Sequence, residues 1–274
     1  MYPNNLLKAS KRQESFTPLQ ERFFKSGLKG FNDREIIELF LSLCLPRTNH
    51  KRLAEKCINE FQNLRRFMAA SPEVLQRVGL TGHVIFCIKL LHELPTELLK
   101  QKIVDQPIYS SARELFDYLH YSMRDLKKEV FKIIYLNTRH QIIDTEDLFE
   151  GTLESIPIRP REIVESTIKH NATVLIFAHN HPSGDPTPSK SDKQLTRDLV
   201  FMGNILQIKV LDHIIIGENR YFSFADEGLI QKYEDNFLNL KIRGVFDRGV
   251  EYGVPPILVP LTMRDFLLSI AYSR

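Results

Sequence analysis

The sequence has no tryptophan and only three cysteines in 274 residues. Cys44, Cys57 and Cys87 are odd in number and widely spaced, which fits neither a disulfide framework nor a zinc knuckle. Buried, reduced thiols in a cytoplasmic protein are the expectation. No uncharged apolar run reaches ~18 residues, so no spanning helix and no membrane partner are expected. Residues 1–15 are polar and lack the apolar stretch of a secretory signal. Internal repeats are absent. An apolar share of 43% and a charged share of 26% exclude a wholly disordered or collagen-like chain. At roughly 100–200 residues per domain, the length suggests two domains.

Charge is unevenly spread. The net +3 divides into +6 over residues 1–100 and −3 over the remainder. A basic first third raises the possibility of nucleic-acid contact, although a solvated helical surface accounts for the same charge. Residues 1–16 read as a polar tail. Residues 17–100 read as helical throughout, with capped starts at Asn32-Asp33 and Ser71-Pro72 and a break at Gly79-Leu80-Thr81-Gly82. Pro95 and Pro107 bracket what reads as a charged link. A helix through Leu115, Leu119 and Met123 follows, and then the texture becomes mixed. Strands are predicted at 130–136, 141–144, 173–178, 210–217 and 221–224, with helices at 162–170 and 189–202. The expectation is a mixed α/β domain over 107–231, with a C-terminal extension over 232–274.

The chemistry concentrates in Ala178-His179-Asn180-His181-Pro182-Ser183-Gly184-Asp185-Pro186-Thr187-Pro188-Ser189-Lys190-Ser191-Asp192. His179 and His181 close the apolar run 173–178, and alternate strand residues share a face, so two imidazoles emerge together. Asp192 falls in the first turn of the helix that Ser189 opens, from where its carboxylate can aim back at them. Two nitrogens and one carboxylate oxygen suit zinc, with a fourth position for water. The same ligand types also suit iron(II). Each piece has a plainer reading: Ser189 with Asp192 is a helix N-cap with an acid at the third position, and Pro182–Asp185 is a turn. No His-Glu-x-x-His helix and no Pro-Cys-x-x-Cys occur, which argues against the common metalloproteases and the nucleobase deaminases.

The spacing His-x-His-Pro-x6-Ser-x2-Asp resembles the JAMM (JAB1/MPN/Mov34) metalloprotease motif. Phe149-Glu150-Gly151-Thr152-Leu153 and Arg159-Pro160-Arg161-Glu162-Ile163-Val164 narrow the resemblance to the bacterial RadC (UPF0758) family. It implies a cytidine-deaminase-like JAB/MPN domain, an α/β fold with a mixed sheet flanked by helices, in which His179, His181 and Asp192 bind Zn2+. It further implies that Ser189 helps stabilise the oxyanion, and that a glutamate at the start of the first strand, here Glu129, moves the proton of the zinc water. Glu150 is the main competitor for that role; Glu146, Glu154, Glu162 and Glu165 also lie between Glu129 and the histidines. The implied activity is zinc-dependent hydrolysis of peptide or isopeptide bonds, with a peptide or protein as substrate. The helical third resembles the family's helix-hairpin-helix region. Its Gly79-Leu80-Thr81-Gly82-His83 turn departs from the usual spacing, so weak DNA binding at best is expected. The alternative function is a DNA-repair accessory protein with a structural or latent metal site.

Overall fold

A computed structural model describes residues 16–45, 49–151 and 159–242, and the side chains of these except 109–111. They divide into two compact units, one ending at Pro95 and the other beginning at Thr96. Among the described residues no helix is long and apolar enough to cross a membrane.

The first unit is entirely helical: α1 (Pro18–Ser26), α2 (Asp33–Cys44), α3 (His50–Phe61), α4 (Leu64–Ala69), α5 (Pro72–Arg77) and the first part of α6 (Gly82–Ile103). Asn32 and Glu35 form a reciprocal capping box at the start of α2, which satisfies two backbone donors that the helix itself leaves open. The apolar faces meet in a core of Ile37, Leu41, Ala54, Cys57, Phe67, Leu75, Val84 and Ile88. The expected turn lies between α5 and α6. Gly79 adopts φ +98°, Leu80 is buried, and the Lys56 ammonium donates to the Val78 carbonyl at 2.5 Å. The cysteines depart from the expectation. Only Cys57 is buried; Cys44 and Cys87 are half-buried.

Pro95 does not end a helix. Alpha-helix α6 continues to Ile103, because Leu99 and Ile103 pack into the core of the second unit and outweigh the one backbone hydrogen bond that proline removes. The second unit continues with α7 (Ile108–Met123), β1 (Val130–Leu136), β2 (Ile142–Glu150), α8 (Pro160–Lys169), β3 (Val174–Asn180), α9 (Lys190–Leu206), β4 (Lys209–Ile216), β5 (Tyr221–Ser223) and α10 (Leu229–Ile242). The sheet order is β2-β1-β3-β4-β5. β1 runs antiparallel to β2 and β3, β3 is parallel to β4 with α9 as the crossover, and β5 returns antiparallel. This mixed sheet flanked by helices is the one the family resemblance implies. β2 extends past the expected 144 because it is an edge strand: charged Glu146 and Asp147 are tolerated while the backbone pairs along all of β1.

Side-chain alternation along the buried strands makes two cores. Phe131, Ile133, Tyr135, Leu175, Phe177 and Ile215 face α8, α9 and α10. Ile134, Leu136, Ile176 and Ala178 face Leu115, Leu119 and Met123 of α7. The boundary expected at 231 falls inside α10, because Ile230, Tyr233 and Phe237 complete the first of these cores. The rest of the expected extension, including Pro255–Pro260 and Met263–Tyr272, lies outside the described residues, as do residues 1–15 of the expected tail. Phe177 is fully buried at the centre of the sheet. Phe177→Ala should therefore lower unfolding free energy by about 3–5 kcal/mol, measured by denaturant titration followed by circular dichroism.

Candidate metal centre

Three side chains converge at the carboxyl end of β3. His179 is the penultimate residue of the strand and is fully buried; His181 follows the strand and is half-buried; Asp192 is buried in the first turn of α9. The two Nε2 atoms lie 3.1 Å apart. Asp192 Oδ1 is 3.3 Å from His179 Nε2, and Oδ2 is 3.4 Å from His181 Nε2.

Local structure explains each position. The His181 N–H donates to the Ile216 carbonyl at 2.9 Å, extending the β3–β4 ladder by one step, and its Nδ1 meets the Asp185 carbonyl at 2.7 Å. That carbonyl comes from the turn 182–186, in which Gly184 takes φ +83° and accepts from Glu218 N at 3.0 Å. The turn lies directly on Gly217, where an added Cβ would stand 2.5 Å from the Gly184 oxygen. Ser189 and Asp192 form a complete capping box: Ser189 Oγ accepts from Asp192 N at 3.0 Å, and Asp192 Oδ2 accepts from Ser189 N at 2.7 Å. The helix-start reading of this pair is thus met, and the same carboxylate belongs to the group that could hold a metal.

The donor set fits a transition-metal dication. A carbonyl oxygen only accepts, so His181 Nδ1 carries a hydrogen, and in the neutral form of the ring the lone pair lies on Nε2. Bonds of ~2.0–2.1 Å at tetrahedral angles put ligand atoms ~3.4 Å apart; the two Nε2 atoms lie 3.1 Å apart, with one Asp192 oxygen 3.3 Å from His179 Nε2 and the other 3.4 Å from His181 Nε2. Among the described residues this is the group of three so arranged.

The electrostatics follow from burial and mutual proximity. Burial pushes His179 below the usual imidazole range, against the opposing hydrogen bond and charge of Asp192. Burial also opposes charge on His181, but hydrogen bonds to Asp192 and to the Asp185 carbonyl outweigh it and its pKa rises. Burial alone would raise Asp192; the hydrogen bonds of His179 and His181, together with that of Ser189, hold it well below the usual carboxylate range. The Glu129 carboxylate adds a further upward pull on both histidines.

Glu129 immediately precedes β1 and is half-buried, and its carbonyl accepts from Gly151 N at 2.8 Å. It comes near the histidines because Phe131 pairs with His179 across the β1–β3 ladder. The competing glutamates are otherwise engaged. Glu150 is 62% exposed and pairs with Lys128 at 3.0 Å. Glu162 and Glu165 pair with Arg159 and Arg161 on the exposed side of α8, and Glu146 bonds Tyr135 and Ser166. Glu154 lies outside the described residues. Ser189 is exposed, and capping uses its oxygen as an acceptor.

Three further residues build the site without having been singled out from sequence. Asn180 is buried; it accepts from Val130 N at 2.8 Å and donates to the Lys128 carbonyl at 3.0 Å, fastening the chain on both sides of Glu129. His213, on β4, lies with its Nε2 2.8 Å from His179 Nδ1, and Thr196 Oγ1 is 2.7 Å from His213 Nδ1. A lone imidazole in the apolar run Val210–Gly217 was the available signal for His213.

Residues 109–229 match the family described as RadC-like JAB domain. A UPF0758 protein of Pseudoalteromonas translucida is 37% identical over 212 residues, covering 77% of this chain and 95% of its own. One from Rhodobacter capsulatus is 34% identical over 213 residues, covering 77% and 100%, and one from Fusobacterium nucleatum is 38% identical over 220 residues, covering 77% and 95%. The fold and the His-His-Asp group are thus those of a JAB domain. The chain belongs to the RadC (UPF0758) family.

Asn180→Ala would leave the buried Val130 N–H and Lys128 carbonyl without their partner. A loss of about 1–3 kcal/mol in unfolding free energy is expected, read from urea denaturation.

Proposed function

We propose that this protein is a zinc-dependent hydrolase of peptide or isopeptide bonds, and that it acts on a peptide or protein substrate. The observation that carries the reading is the convergence of His179 Nε2, His181 Nε2 and the Asp192 carboxylate, with a half-buried carboxylate acting on both imidazoles. His179, His181 and Asp192 hold the metal, whose chemistry when bound is to acidify a water toward ~7 from 15.7 and to polarise a carbonyl. Glu129 takes the proton of the attacking water on its carboxylate and returns it to the leaving amine. Ser189 keeps its hydroxyl hydrogen free, since capping occupies only a lone pair. It donates that hydrogen to the oxygen that gains charge as the carbonyl becomes tetrahedral. Asn180 holds the segment of Glu129 against β3, so the base keeps its distance from the histidines.

Two measurements test this reading. Purified protein should carry about one zinc per chain, and His179→Ala or Asp192→Ala should remove it; equal zinc in wild type and both variants by elemental analysis would end the assignment. Glu129→Gln should retain the metal and lose ~10²–10⁴-fold in turnover in a screen of peptide and isopeptide substrates. If Glu129→Gln keeps full turnover while Glu150→Gln abolishes it, the base is Glu150 and the metal assignment survives.

A further inference from the structure

The buried hydrogen bonds behind His179 have a direction that can be worked out. Thr196 Oγ1 lies 2.6 Å from the Asp192 carbonyl, one turn earlier on α9. A carbonyl can only accept, so the single hydroxyl hydrogen of Thr196 is spent there. Toward His213 Nδ1, at 2.7 Å, the same oxygen can therefore only accept, and Nδ1 of His213 carries the hydrogen. His213 is fully buried and boxed by aromatic rings: Phe224 stacks on it at 5.2 Å, and Phe131 and Phe177 meet it edge-on at 5.6 and 6.2 Å. A cationic ring in such a box is costly, which leaves His213 neutral with its lone pair on Nε2. At 2.8 Å from that lone pair, His179 Nδ1 must be the donor, and the lone pair of His179 sits on Nε2, which faces Asp192 and His181.

We propose that His213 and Thr196 are positioning residues that lock His179 into the one tautomer able to bind metal through Nε2. The chain of bonds starts at the backbone of one ligand, Asp192, and ends on the ring of another, His179. It therefore fixes the helix-borne ligand relative to the strand-borne one. His181 is set separately, by the Asp185 carbonyl. Hydrogen bonding to the far nitrogen of a ligating imidazole sets its orientation and basicity, and losing such a partner typically costs ~10–100-fold in metal affinity. The proposal rests on the metal-site reading given above.

The test uses the full-length protein with two readouts that need no substrate. Zinc affinity is measured by chelator competition, and Co2+ titration reports the coordination geometry from its visible spectrum. Long-range proton–nitrogen correlations of the imidazoles in metal-free protein report the tautomers directly. Thr196→Val removes the hydroxyl at nearly constant shape, Thr196→Ser restores it, and His213→Phe fills the aromatic box without an acceptor. Expected are Nδ1-H tautomers for His179 and His213, a ~10–100-fold weaker zinc affinity for Thr196→Val and His213→Phe with an altered Co2+ spectrum, and near-wild-type affinity for Thr196→Ser. Should His213→Phe fail to fold, the threonine pair and the tautomer spectra decide alone. Wild-type affinity in Thr196→Val, or an Nε2-H tautomer on His179, overturns the relay and leaves the metal site standing. Absence of metal binding by the wild type overturns both readings at once.

Discussion

The antiparallel ladder between β1 and β3 is the constraint on which the site depends. With Phe131 opposite His179, the residue before β1 and the residues that end β3 must share one edge of the sheet. A shift of one residue would turn His179 to the opposite face and bring Phe177, now central in one core, into the other. Burial on both faces makes such a shift expensive, because every residue of β1 and β3 is buried. Asn180 adds a side-chain lock at the same edge, bonding backbone on either side of Glu129. The register that builds the core is therefore the register that brings a carboxylate to two imidazoles.

Asp192 caps its helix and also belongs to the group that could hold a metal. Its Oδ2 satisfies a backbone donor at the start of α9, and both oxygens face imidazole nitrogens. A carboxylate at a helix N-terminus is favoured by the exposed N–H groups and the helix dipole. Its negative charge is thus sustained by the fold even where it is buried. Gly217 contributes on the opposite side, since the absence of a side chain lets the 182–186 turn close down and deliver the Asp185 carbonyl to His181.

Much of this was legible from residue order. Helix starts at Asn32, Ser71 and Ser189 follow from local hydrogen-bonding chemistry, and β1, β3 and β4 from apolar runs of strand length. His179, His181 and Asp192 lie within fourteen consecutive residues, so one strand, one turn and one helix cap suffice to bring them together. The misjudged features each depend on distant partners. Helix α6 passes through Pro95 because Leu99 and Ile103 find a core that the local sequence does not mention. Helix α10 belongs to the domain because Ile230, Tyr233 and Phe237 fill a face built by strands far earlier in the chain.

What the sequence determined by itself is therefore short in range: the caps, the strand periods, the paired histidines and the acid at the third helical position. Only the tertiary structure gave Glu129 and Glu150 different surroundings. Both stand at strand ends, and Val130 pairs with Glu150 across the β1–β2 ladder, yet Glu150 lies on the exposed edge strand while Glu129 leads into the strand that pairs with the histidines. It likewise decided the place of His213, which pairs with Phe177 across the parallel β3–β4 ladder and so stands behind His179. Capping and periodicity act over a few residues through backbone bonds that any such segment makes alone. Strand pairing across 34 or 50 positions exists only once both faces of the sheet are buried, and that burial is a property of the whole domain.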